Sequence, residues 1–209
     1  MLAMLRKDIY VMGRYAAVYA AVWLAMLAAY ARLPDVDGSF LYAILPICSL
    51  TVTLNAISAD QACRWDRFAA MTPLRPRTLV LEKYVFAYAL LAVLGLLGAG
   101  AAWLCRRDRD GLVTMAVLTA LAVDTALPLI YRYGRRKGGA LLMALWGAVA
   151  AVILGTALAD YAAIEAAFGW MEDAPALPLE VGAVLLGAVW LSFRLSVRFY
   201  TRRQRGWYG

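Results

Sequence analysis

The sequence predicts an all-α integral membrane fold with six transmembrane helices, an N-terminal amphipathic helix at the interface and a short helix in the first cytoplasmic loop. Two observations carry that reading. Of 209 residues, 64% are hydrophobic and only 17% charged, with a mean hydropathy of +0.68, whereas soluble domains are about half apolar. The apolar residues also fall in long continuous runs. Crossing about 30 Å of hydrocarbon takes about 20 residues of helix, and only helices or closed barrels satisfy the backbone there. The period-two alternation of barrel strands is missing, which favours helices. The whole of 1–209 reads as a single transmembrane domain.

Residues 1–14 come first. Leu2, Leu5, Ile9 and Met12 recur at spacings of three and four while Arg6, Lys7 and Asp8 fall on another side, the pattern of an interfacial amphipathic helix rather than a cleaved leader. Six membrane-length runs follow, at 15–31, 40–57, 84–104, 112–131, 140–159 and 181–199. Arg194 and Arg198 lie in the last turns of the final run, where long side chains reach back to the headgroups. The segment 160–178 mixes Tyr161, Phe168 and Trp170 with Glu165, Glu172 and Asp173, and is expected to lie in the outer interface.

Orientation follows from the basic residues. With the N-terminus inside, the clusters Arg6 to Arg14, Arg64 to Lys83, Arg132 to Lys137 and Arg194 to Arg205 all fall inside. Of the 21 Lys and Arg residues, only Arg32, Arg106, Arg107 and Arg109 are left outside. This positive-inside bias puts both termini in the cytoplasm. The net charge of +7 then needs no nucleic-acid partner; anionic membrane lipids account for it.

The loop 58–78 is the most structured polar stretch. Ser58-Ala59-Asp60-Gln61 fits a capping box opening a helix over 59–71. Pro73 ends that helix, Pro76 keeps the following residues extended, and Thr78 is expected to cap the third span.

Three motifs stand in order along the chain: Leu5-Arg6-Lys7-Asp8-Ile9-Tyr10; the block from Trp65-Asp66-Arg67-Phe68 through Pro73-Leu74-Arg75 to Glu82-Lys83-Tyr84; and Leu127-Pro128-Leu129-Ile130-Tyr131-Arg132-Tyr133-Gly134. In this combination the chain resembles the small permease subunits of the ABC type-2 transporter family. The resemblance implies a six-helix exporter half in the plasma (inner) membrane. It would pair with a second permease copy or a paralogue and with a separate ABC ATP-binding subunit. The first cytoplasmic loop would be the coupling helix: Trp65, Phe68, Pro73 and Leu74 would supply apolar contact to the ATPase, with Asp66, Arg67 and Arg75 fixing register at the rim. The same helix could instead lie on lipid, using Trp65 as an anchor.

The residues agree that the energy source lies in another chain. A phosphate-binding loop needs Gly-x-x-x-x-Gly-Lys-Ser/Thr, and Gly134-Arg135-Arg136-Lys137-Gly138-Gly139 lacks both the spacing and the hydroxyl, so it reads as a basic turn. No cofactor is expected in this chain; ATP and magnesium would belong to the partner. With no histidine, imidazole ligands and Ser-His or Cys-His pairs are absent; Cys48, Cys63 and Cys105 are far apart, odd in number and without Cys-x-x-Cys pairing, so neither a disulfide framework nor a zinc site is indicated. No catalytic residue is expected.

Two residues mark a possible translocation path. Asp124 is the acidic residue deep in a span, where a carboxylate is costly and usually faces the protein interior or water. It either contacts substrate or relays a proton, or it holds helices together through hydrogen bonds with the help of Thr125. Asn55 lies near the cytoplasmic end of the second span. Two other classes stay open: a stand-alone channel or secondary transporter, which internal repeats would favour, and an intramembrane enzyme, for which one aspartate is not enough.

Overall fold

The computed structural model describes residues 4–10, 12–13, 18–19, 21–22, 24–25, 44–63, 65–71, 75–104, 110–159 and 177–208. Helix α1 covers residues 4–10. It is followed by α2 (Ile44–Ala62), the short α3 (Trp65–Ala70), α4 (Pro76–Leu104), α5 (Asp110–Ala159) and α6 (Leu177–Tyr208). Among the described residues, three helical stretches are long and apolar enough to cross a membrane: Pro76–Ala101, Leu112–Val152 and Gly182–Arg202. Most of the first expected span, and residues 160–176 of the expected outer segment, lie outside the described residues.

The longest stretch is folded back on itself. Trp146 Nε1 donates to Thr125 Oγ1 at 3.2 Å across 21 residues of sequence, which straight helix would hold about 31 Å apart. The reversal is at Gly134, whose φ of 76° and ψ of 171° belong to a region that essentially only glycine adopts. Just beyond it the two limbs approach so closely that a Cβ on Gly138 would lie 2.8 Å from the Leu129 carbonyl oxygen. The fourth and fifth apolar runs therefore fall on the two limbs of α5, and the basic Gly134–Gly139 segment opens the second limb.

Several local expectations are overturned. Ser58 caps nothing: α2 runs through it to Ala62, and its hydroxyl donates back to the Leu54 carbonyl at 2.5 Å, as serines inside helices often do. Pro76 does not extend the chain but begins α4, since its fixed φ suits the first helical position and its missing N–H would have been unpaired there. Thr78 is consequently already inside the helix, its N–H donating to the Arg75 carbonyl at 2.9 Å. The last helix is longer than its apolar run and starts at Leu177. The inward stripe is Met4 and Asp8 of α1 with Met12 just beyond it, while Ile9 is 57% exposed. Leu5 and Met12 do pack against a core cluster as the apolar periodicity expects, but Asp8 rather than Ile9 takes the inward place between them, because a buried lysine awaits it there.

The core sits at one end of the bundle. Met4 of α1, Ile57 of α2, Ala69 of α3, Val80 of α4, Leu127 of α5 and Tyr200 of α6 share one buried cluster. Further along, the apolar side chains turn outward, with Leu96, Trp103, Val152, Val184 and Leu186 exposed, as suits surfaces whose solvent is lipid. Helix α6 packs most extensively on α5, and α2 lies against α4 and α5.

Candidate functional site

At the core end, three segments meet through charge. Lys83, in the second turn of α4, places Nζ 2.6 Å from Asp8 Oδ2 and 2.7 Å from Asp60 Oδ2. Lys7 reaches Asp60 Oδ1 at 2.5 Å and Asp8 Oδ1 at 3.3 Å. Glu82 adds a third carboxyl, 3.6 Å from Lys83. The Asp8 side chain is only 1% exposed and that of Lys83 6%. Burial alone would raise the Asp8 pKa, but its hydrogen bond with Glu82 and the charges of Lys83 and Lys7 outweigh this and hold it below its ordinary 3.8. A buried cluster of this kind adds little net stability over an apolar substitute, yet removing one member strands the rest. Its effect is to fix α1, the end of α2 and the start of α4 in one register.

Helix α3 is fastened to that cluster. Lys7 Nζ lies 4.4 Å from the centroid of the Trp65 ring, a cation–π contact, and Trp65 packs partly buried against the core. Ala69 is buried, whereas Phe68 and Met71 are 55% and 75% exposed. The Trp65 and Phe68 rings touch at 5.3 Å between centroids. The expected docking residues therefore divide: Trp65 turns inward as the fastening, Phe68 turns outward, and Met71, which the sequence reading did not single out, joins it. Asp66 and Arg67 belong to the α3 backbone, Arg75 is exposed at the start of α4, and Pro73 and Leu74 lie outside the described residues.

A second polar seam crosses α4, α5 and α6. Pro128 has no N–H, which leaves the Asp124 carbonyl one turn earlier without its helical donor. Ser192 Oγ of α6 donates to that carbonyl at 2.6 Å. Its only proton being used, Ser192 accepts from the Tyr84 hydroxyl at 2.5 Å, and Ser196 in turn donates to Tyr84 at 2.9 Å. Hydroxyls from a neighbouring helix repair the break that proline makes.

The Asp124 side chain takes no part in that seam. The residue is 5% exposed, and neither carboxylate oxygen has a hydrogen-bond partner among the described residues. The same holds for the nearby Tyr88 hydroxyl and for Ser49 and Thr53 on α2. Thr125 does not assist it, donating instead to the Ala122 carbonyl at 3.0 Å. Asn55 is half-buried on α2 and unbonded to the Asp124 carboxylate. Among the described residues, no group of three His, Cys, Asp or Glu side chains is arranged to hold a metal.

Sequence reasoning passed over Lys7, Asp8, Asp60, Glu82, Lys83 and Tyr84 as site residues. The signal was there: opposite charges at the edges of different apolar runs, all but Asp60 in the motifs that carried the resemblance.

Fold and site together define a multi-pass helical membrane protein whose helices are locked by charge at one end. Residues 3–201 match the family described as ABC-2 family transporter protein, and the chain belongs to that family. It is accordingly a permease component of an ABC transporter, from a family that associates with ABC ATP-binding subunits and is not itself catalytic. No curated protein and no solved structure matches the chain.

Proposed function

We propose that the chain is half of the translocation path of an ATP-driven exporter in the plasma membrane, with six spans and both termini cytoplasmic. It pairs with a second copy or a paralogue, and α3 is the coupling helix that receives motion from a separate ATP-binding subunit holding ATP and magnesium. One observation carries this reading: α3 offers the apolar Phe68 outward, with Met71 just after it, while Trp65 and Lys7 tie it from behind to the cluster that fixes α1, α2 and α4. A coupling element needs both properties, a bare face to be pushed and a stiff connection to what must move. Asp124 is proposed to line the path with Asn55, since a carboxylate buried in a membrane, with no partner within hydrogen-bond distance among the described residues, costs about 3 kcal/mol or more and suits a cationic substrate or a proton.

The test is co-purification from the native host, reading out an ATPase with a phosphate-binding loop, followed by two variants. Phe68→Ala with Met71→Ala removes two exposed apolar contacts, each typically worth above about 1 kcal/mol when central, and should cut ATPase recovery at least about tenfold with membrane abundance unchanged. Asp124→Asn should leave assembly intact and lower transport. Full ATPase recovery and transport in the Phe68/Met71 variant would make α3 a lipid-surface helix. Normal transport by Asp124→Asn would leave that residue a structural role.

A further inference from the structure

Helix α6 carries Trp190, Arg194, Arg198 and Arg202 at intervals of four, one above another on a single face. This is not the packed face, which is made by Ser192, Ser196 and Tyr200. Arg77, from the first turn of α4, flanks the stripe on one side, enclosing with Trp190, Phe193, Arg194, Val197 and Arg198 a groove of about 580 Å³. On the other side Arg132, at the end of the first limb of α5, closes a second groove of about 510 Å³ with Arg198, Phe199 and Arg202. The guanidinium of Arg194 stacks 4.2 Å from the Trp190 centroid and that of Arg132 5.2 Å from Phe199. Among the described residues none of these five arginines is within ion-pair distance of a carboxylate.

Among the described residues, these five cations around two apolar-walled grooves have no anion beside them. We infer that this face binds the phosphate headgroup of an anionic phospholipid in the leaflet at the core end of the bundle, with the acyl chains running along the exposed side of α6. Basic pockets between spanning helices recognise such headgroups, and arginine presents a fork that matches phosphate. The exposed apolar residues Val184, Leu186 and Leu191 continue from the arginines along α6, which supplies a track for acyl chains and none for a free anion. A second copy docked by a two-fold axis would press arginine against arginine. The site rests on the proposed topology only in that this leaflet is then the cytoplasmic one, rich in anionic lipid.

The experiment uses the full chain purified in detergent without any ATP-binding subunit, so loss of the coupling reading would leave it untouched. Native mass spectrometry follows retention of dioleoylphosphatidylglycerol, dioleoylphosphatidylcholine or inorganic phosphate. The wild type should retain phosphatidylglycerol preferentially, and Arg194→Gln and Arg198→Gln should each weaken that retention about fivefold, from about 1 kcal/mol per basic residue. Arg77→Gln, an exposed change at the groove rim, gives a second reading should the α6 variants fold poorly. The proposal is overturned if the glutamine variants keep the preference. It is equally overturned if inorganic phosphate competes the lipid away, or if the same changes dissolve a dimer without changing lipid retention, which would make the face a contact between copies.

Discussion

Two basic regions share one end of this molecule and use their charge in opposite ways. Lys7 and Lys83 are enclosed by Asp8, Asp60 and Glu82, so their charge is spent within the chain. The arginines at 77, 132, 194, 198 and 202 are exposed and lie against aromatic rings or open grooves, so theirs is available to something outside. The choice of residue fits each task. A compact ammonium sits well among carboxylates, and a flat guanidinium stacks on rings while keeping its donors free. The lesson is that the charge bias that orients a membrane protein is not one feature: part of it is structural lock, part is binding surface.

The largest effect that would break this comparison is at Lys83. Lys83→Met takes the shared cation from Asp8 and Asp60, and stranding buried carboxylates costs about 3–5 kcal/mol. Thermal unfolding in detergent should show a large fall, with α1 becoming open to protease. Arg194→Met, measured the same way without anionic lipid, should stay within about 0.5 kcal/mol of wild type, as exposed substitutions usually do. Equal losses at the two positions would mean that the arginine face is as structural as the lysine cluster.

The sequence made some of this legible and hid the rest for identifiable reasons. Apolar run lengths located α4, both limbs of α5 and α6, because hydropathy records the solvent each helix meets. Glycine at 134 marked the reversal in α5. Helix ends were misread at Ser58, Pro76 and Thr78, because capping residues act equally well one turn away, inside a helix or at its first position. The packed face of α1 was misread at Ile9 and Asp8, because Asp8 looks like a surface residue until Lys83, 75 positions away, is brought beside it. Charge pairing between distant segments leaves no periodicity. The seam at Asp124 illustrates the same limit: Pro128 announces a freed carbonyl, but nothing local names Ser192 as its donor.

A middle-sized effect concerns acid. The folded Asp8 pKa lies below 3.8, so its contribution to stability is complete above the unfolded value and lost as pH falls through the folded one. Lys7, Lys83, Glu82 and Asp60 all face it. Protease release of α1 should therefore rise as the pH falls below about 3.8. Release that is already complete at pH 5 would show that the carboxylate is not held by its lysines.

The smallest effect is the response to salt, and it separates the two regions most cleanly because it alters no side chain. Screening acts over about 8 Å at physiological ionic strength and about 3 Å at 1 M, but only through water that reaches the charges. The Lys83 contacts at 2.6 and 2.7 Å are buried, so no ions enter between the partners and stability in detergent should be nearly unchanged from 0.1 to 1 M sodium chloride. The arginine grooves are open, and any anion they hold shares them with solvent. Stabilisation by added phosphatidylglycerol should shrink over the same range, while the baseline in phosphatidylcholine holds. If the baseline itself falls with salt, the lysine cluster is wetter than its burial implies. If the lipid gain ignores salt, the phospholipid is held by its chains rather than by the arginines.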